Sequence, residues 1–244
     1  MNPALTLATA RRILTQLRHD PRTVAMLILV PSLLMVLLRF VLNSPRLFNA
    51  TAPALLGVFP FLAMFLVTSI TTLRERTSAT LERLMTLPIA RLDLLFGYAL
   101  AFGAIAVVQV AVATGVSLAW LDLDIRGSLW LLLLIAVLDA LLGMALGLFV
   151  SAFARTEFQA IQFMPVFVLP QILLCGLFVA RGSMGWLLNW LSNVMPLSYA
   201  VEALGEVTSS STVDVTLIRD LLVVAGCTLL ALVLGAATLR RRTP

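Results

Sequence analysis

Six stretches of the chain are nearly unbroken runs of apolar residues, near 24–42, 53–73, 92–119, 129–150, 159–180 and 217–239. A helix rises about 1.5 Å per residue, so about 20 apolar residues cross the roughly 30 Å hydrocarbon layer of a bilayer. Each run meets that length, and the pattern predicts six membrane-spanning helices. The third is longer and has room to tilt or to extend past the bilayer. Ahead of the first run the period changes. Leu7, Ala10, Ile13, Leu14 and Leu17 fall on one helical face, and Arg11, Arg12, Thr15, Arg18 and His19 on the other. This predicts an amphipathic helix lying in the headgroup plane over residues 1–23. Asp20-Pro21 then supplies an N-cap and a proline at the first helical position of span one. That span is too long for the apolar region of a cleaved leader, so none is expected.

Two connections carry patterns of their own. In 74–88, Leu81, Leu84 and Met85 form an i, i+3, i+4 stripe on an otherwise charged stretch, with Thr77 and Ser78 as N-cap candidates and Pro88 as the stop. Such a stripe is buried either against the bilayer surface or in a partner protein. The segment 181–215 is interrupted by Gly182, Gly185 and Pro196. It is expected to form two short helices lying on, or re-entering, the membrane.

Composition agrees with the pattern. Hydrophobic residues make up 61% of the 244 positions, charged residues only 12%, and the mean hydropathy is +1.04. A soluble domain is about 45–50% apolar and about 25% charged. This excess excludes a soluble enzyme, a nucleic-acid-binding domain and a disordered tail. All 17 basic residues are arginine. Without lysine the chain has neither a P-loop lysine nor a Schiff-base lysine. The arginine bias fits a GC-rich bacterial genome. Cys175, Cys227 and the single His19 offer no metal spacing and no disulfide framework.

Arginine placement sets the orientation. Arg11, Arg12, Arg18, Arg22, Arg74, Arg76, Arg83, Arg91, Arg155 and Arg240 to Arg242 fall on one side. Only Arg39, Arg46, Arg126, Arg181 and Arg219 fall on the other. The positive-inside rule places both termini in the cytoplasm. Trp120, Trp130, Trp186 and Trp190 then lie at the outer interface, where an aromatic belt belongs.

Among residues inside the spans, Asp139 stands out, because an intramembrane carboxylate costs about 2.5–3.5 kcal/mol on insertion scales. It is either a pathway group or a packing residue bonded to a polar neighbour such as Gln109. Gly143 and Gly147 mark a close-packing face, within one chain or between two. Pro165 and Pro170 predict a kink in the fifth span. Arg39 is read as snorkelling to the headgroups. Glu202 is a candidate gate residue or a plain interfacial carboxylate.

The cytoplasmic loop resembles the E-R-x-x-G-T-L-E-R-L-x-x-x-P signature of ABC-2 type transporter permeases of the daunorubicin-resistance class. Glu75, Arg76, Thr80, Leu81, Glu82, Arg83, Leu84 and Pro88 match, and Ala79 stands where glycine is common. The segment Arg91–Tyr98 is similar to the family's lead into span three. Met195-Pro196-Leu197-Ser198-Tyr199-Ala200-Val201-Glu202-Ala203-Leu204 is similar to its N-P-L-[ST]-Y-A-V-E-A-L block, with Met195 in place of asparagine. The resemblance spans nearly the whole chain.

It implies an all-α permease of six spans in a bacterial cytoplasmic membrane, pairing as a homodimer or heterodimer with a second permease. Two copies of a separate ATPase would hold the ATP and Mg, so this chain binds no cofactor and performs no catalysis itself. Residues 74–88, with Met85, would form the ATPase-coupling helix. Arg11, Arg12, Leu14, Leu17 and Arg18 would belong to the interfacial N-terminal helix, and Asp139, Pro196, Tyr199 and Glu202 are pathway or gate candidates. The expected function is export of an amphipathic or lipid-like substrate: a drug, lipid, glycolipid or secondary metabolite. The rival readings are a membrane-embedded enzyme using Asp139 and Glu202, and a non-transporting subunit that recruits an ATPase.

Overall fold

The computed structural model describes residues 3–78, 90–210 and 212–238, and among these it is helical with no strand. Helix α1 (Pro3–Arg18) is followed by α2 (Pro21–Leu42), α3 (Pro45–Thr77), α4 (Arg91–Trp120) and α5 (Leu129–Val150). A broken fifth span follows as α6 (Glu157–Phe167) and α7 (Leu169–Leu174), then the short α8 (Trp186–Val194) and α9 (Pro196–Ser209), and finally α10 (Val215–Thr238). Six of these units are long and apolar enough to cross a membrane: α2, α3, α4, α5, α6–α7 and α10. The chain is an all-α polytopic membrane protein.

Helix α3 starts at Pro45, well before the apolar run near 53. The cause is local. Asn43 closes α2 in the left-handed region, with φ 44°, Ser44 caps the next helix by accepting from the Leu47 N–H, and Pro45 is pre-set for the first turn. The 33 residues of α3 span about 50 Å, more than the hydrocarbon layer needs.

The centre of the bundle is the α3–α5 pair. Gly143 and Gly147 lie directly on the α3 backbone at Phe61 and Phe65, so this face packs within one chain. Helix α9 is set among α3, α5 and α10, with Leu197, Ala200, Ala203 and Leu204 almost wholly buried. Helix α8 instead leaves Trp186 and Trp190 exposed, as are Trp120 and Trp130 at the same end. The 121–128 connection is stitched to that end: Asn49 Nδ2 donates to the Asp122 carbonyl, and Gly127 N–H to the Val207 carbonyl at 3.0 Å.

The fifth span is not one continuous helix. It breaks at Val168, where Pro170 offers no N–H to the preceding turn, and its helix ends at Leu174 rather than near 180.

Helix α1 packs mainly on α4, at the opposite end of the bundle from the tryptophans. Its buried face is Thr6, Thr9, Ala10, Ile13 and Leu17, whereas Leu7 and Leu14 are exposed. That differs from the stripe of Leu7, Ala10, Ile13, Leu14 and Leu17. Small residues win the contact because α4 presents Gly97, where an added Cβ would stand 2.5 Å from the Thr9 side chain.

Candidate functional site

The α1 end gathers the charges. The Arg12 guanidinium turns inward, away from the solvent face predicted for it. It donates to Glu75 Oε1 at 3.2 Å, to Oε2 at 3.5 Å, and to the Tyr98 hydroxyl at 3.4 Å. Glu75 sits in the last turns of α3 and is 7% exposed, so its carboxylate depends on this partner. Tyr98 sits two turns into α4 and is also buried. One side chain of α1 therefore grips the helix that leads into 74–88 and the helix that leads out of it. Alongside, Arg74 pairs with Glu157 at 2.7 and 3.1 Å, tying α3 to the start of α6. Burial holds the Nε of Arg76 without a hydrogen-bond partner among the described residues. Thr80, Leu81, Glu82, Arg83, Leu84, Met85 and Pro88 lie outside the described residues. Arg11 and Arg18 are exposed on α1.

At the tryptophan end, Pro196 opens α9 and brings Tyr199 and Glu202 together on one face one turn further on. Arg181, from the segment after α7, pairs with Glu202 and donates to Asn193. Its guanidinium carbon lies 5.0 Å from the Tyr199 ring centroid, and that of Arg219 lies 5.8 Å away. The Tyr199 hydroxyl donates to the Asn193 carbonyl at 2.8 Å. Arg219 reaches Glu202 at 3.9 Å and Asp220 Oδ1 at 2.7 and 2.8 Å. Two cavities, of about 350 and 310 Å³, share Arg181 and Glu202 as a common wall. Two hydroxyls donate to the Leu174 carbonyl, Ser192 at 2.8 Å and Ser198 at a longer 3.4 Å, and anchor α8 and α9 to the broken span. Arg181, Asn193 and Arg219 were not among the sequence candidates. Arg181 and Arg219 are visible in the sequence as the arginines that break the charge asymmetry.

Asp139 belongs to neither cluster. It is fully buried at mid-height on α5, against Gly57 of α3 and close to Leu204 of α9. Both its oxygens, and both polar atoms of Gln109, have no hydrogen-bond partner among the described residues, so the Asp139–Gln109 pair is not formed. Glu202, by contrast, is exposed and paired. Asp139 and Glu202 thus sit in different surroundings, one within the bundle beside Gly57 and one at the tryptophan end beside Arg181.

Residues 3–207 match the profile of the family described as ABC-2 type transporter. The chain belongs to the ABC-2 type transporter family. Among its curated relatives, ABC transporter G family member 20 of Dictyostelium discoideum is 27% identical over 67% of this chain and 22% of its own length. The probable multidrug ABC transporter permeases YbhR and YbhS of Escherichia coli (strain K12) are 28% and 27% identical. Those matches cover 51% and 64% of this chain, and 34% and 42% of the relatives. The chain thus spans well under half the length of the relatives it matches. Within an ABC-2 fold, the geometry separates two polar clusters by the full height of the bundle, one at the α1 end and one around Arg181 and Glu202.

Proposed function

We propose that this chain is the membrane permease subunit of an ATP-driven exporter in a bacterial cytoplasmic membrane, with the α1 end facing the cytoplasm. ATP and Mg act on two copies of a separate ATPase, and a second permease, identical or related, completes the pathway. The substrate is amphipathic or lipid-like. One observation carries the reading: Arg12 joins α1, α3 and α4 around the two ends of the segment 74–88.

The chain of force follows from those contacts. When the ATPases close on ATP, they push on 74–88. Helices α3 and α4 flank that segment, and α1 is bound to both, so the push reaches the bundle through three joined helices. Arg74–Glu157 passes it to α6, the start of the proline-broken span. At the far end, the Arg181–Glu202 pair holds α9 to the segment after α7. That contact serves as the outer latch, and its release opens the way out.

The test uses Leu84→Asp. A carboxylate placed in an apolar docking groove costs more than the lost leucine alone, whose contribution as an anchor is about 1–2 kcal/mol. The expected result is a permease that inserts normally, fails to co-purify with its ATPase and no longer couples hydrolysis to export. Stoichiometric co-purification with normal transport would sink the reading.

A further inference from the structure

Just past the fifth span the chain is unwound. Helix α7 ends at Leu174, Gly176 turns the backbone at φ +97°, and the next regular turn is Arg181–Ser183. Among the described residues, Gly176, Leu177, Phe178 and Val179 enter no backbone–backbone hydrogen bond. Irregular backbone beside a membrane persists only where protein or a polar cavity covers it. Gly176 and Leu177 form one wall of the 350 Å³ cavity, together with Ala50, Ala54 and Gly205, whose small side chains leave it open. The 310 Å³ cavity lies across Arg181 and Glu202, and Asn189 of α8 lines it. The Asn189 side chain is half-buried and makes no hydrogen bond among the described residues.

The charges around both cavities are already matched. Arg181 pairs with Glu202, and Arg219 with Glu202 and with Asp220 behind the wall. Two guanidinium groups thus meet two carboxylates. An anionic or zwitterionic ligand has to break one of these pairs before its own charge is answered. The hydrogen-bonding capacity left open is neutral: the Asn189 amide, which donates and accepts, the main-chain groups of Gly176, and spare lone pairs on Glu202. Hydroxyl groups, donor and acceptor in one, fit that set. The neighbouring residues add an apolar requirement. Trp190 follows Asn189 and Phe178 follows Leu177 in the chain, and both rings are exposed. Exposed aromatic rings at one end of a membrane bundle belong to the bilayer interface, so the cavities open where lipid headgroups are.

We propose that the paired cavities hold the neutral, hydroxyl-rich headgroup of a glycolipid, whose acyl chains stay in the leaflet at the tryptophan end. The Arg181–Glu202 pair stands between the two halves, so a headgroup that fills both is held against the contact that serves as the outer latch. As the exit-side subsite of an exported lipid, the site rests on the exporter reading; as a binding site it does not.

The experiment is a titration of the full-length permease, in a polyoxyethylene detergent that carries no sugar, with lipids of identical acyl chains, read by native mass spectrometry. One saturable site for monoglucosyl diacylglycerol is expected. Phosphatidylglycerol, phosphatidylethanolamine and diacylglycerol without a headgroup should each be weaker by about tenfold or more. Asn189→Leu removes the open amide and should weaken the glycolipid by about fivefold, leaving phosphatidylglycerol unchanged. Gly205→Trp, filling the first cavity, should abolish the site; a Cβ at Gly205 meets nothing within 4 Å. Ala50→Trp does the same from an exposed position, so the test survives if Gly205→Trp misfolds. Leu134→Trp, on a different exposed surface, should bind normally. Equal binding of the glycolipid and phosphatidylglycerol overturns the proposal, as does unchanged glycolipid binding in both tryptophan variants. Methyl glucoside binding as tightly as the glycolipid would assign the cavities to a free sugar and would also overturn it. No ATPase is present in this assay, so failure here leaves the coupling reading intact, and failure of the Leu84→Asp test leaves this site intact.

Discussion

Gly147 of α5 lies so close to Phe65 of α3 that a methyl group at its Cα would stand 2.5 Å from the Phe65 carbonyl oxygen. Gly143, one turn earlier, meets Phe61 in the same way. The obstacle is main chain, which cannot swing aside as a flexible side chain can. Gly147→Ala should therefore destabilise the permease by about 1–3 kcal/mol, the usual range for overpacking, despite alanine's better helix propensity. Gly226→Ala in α10 meets nothing within 4 Å and should be neutral or stabilising by up to about 1 kcal/mol. Thermal unfolding in detergent measures both, and equal melting temperatures would contradict the close α3–α5 packing.

Arg12 and Glu75 form a second linked pair. Arg12→Leu leaves a nearly buried carboxylate without its cation, and the cost should be about 1–3 kcal/mol. Glu75→Gln should be milder, since the amide needs no counter-charge. Adding Glu75→Leu to Arg12→Leu should recover part of the loss, because the costly species is the orphaned charge. A double-mutant cycle on thermal stability reads this directly, and strictly additive effects would show that the two side chains do not depend on one another.

How much of this was legible before the fold was known differs by feature. The spanning helices follow from length and apolarity alone, because an unsatisfied backbone in lipid leaves helices as the simple solution. The early start of α3 was also written in Asn43-Ser44-Pro45, three residues that cap, stop and restart a helix, but apolar runs alone skip it. Which face of a helix meets protein was not legible. In water, burial follows hydrophobicity; beside lipid, Leu7 and Leu14 gain nothing by turning inward, and Thr6, Thr9 and Ala10 allow the closer approach. Partners across long separations were equally hidden. Arg12 and Glu75 lie 63 residues apart, and Arg181 and Glu202 are brought together only by the reversal of the chain through α8. Asp139 announced itself by composition, yet its actual neighbours, Gly57 and Leu204, could not be read from its own helix.

Asp139 yields a third expectation. With Gly57 against one oxygen and no hydrogen-bond partner among the described residues, the site has room for an amide and none for a long cation. Asp139→Asn should fold to at least the wild-type yield. Asp139→Arg should fall well below it, by about the 2.5–3.5 kcal/mol of a central arginine and by the steric conflict in addition. Size-exclusion profiles of the two variants decide between them. If Asp139→Asn folds, keeps its ATPase and still fails to transport, the carboxyl itself takes part in moving the substrate or a proton.

Orientation can be tested without any substrate. Among the described residues, Arg11, Arg12, Arg18, Arg22, Arg74, Arg76 and Arg155 cluster at the α1 end, while Arg39, Arg46, Arg126, Arg181 and Arg219 lie towards the tryptophans. Retention of arginine-rich ends on the cytoplasmic side predicts α1 inside and the 3₁₀ turn Arg181–Ser183 outside. Cys175 is buried and Cys227 half-buried, so a Cys175→Ala, Cys227→Ala background removes native thiols with little change to the surface. In that background, Ser183→Cys should react with an impermeant maleimide on intact cells. Thr15→Cys, exposed on α1, should react only after the membrane is opened. Labelling of position 15 from outside would invert the molecule. It would place the Arg12–Glu75 grip and the segment 74–88 on the side where no ATP is available, and with that the proposed drive of the transporter from this end would fail.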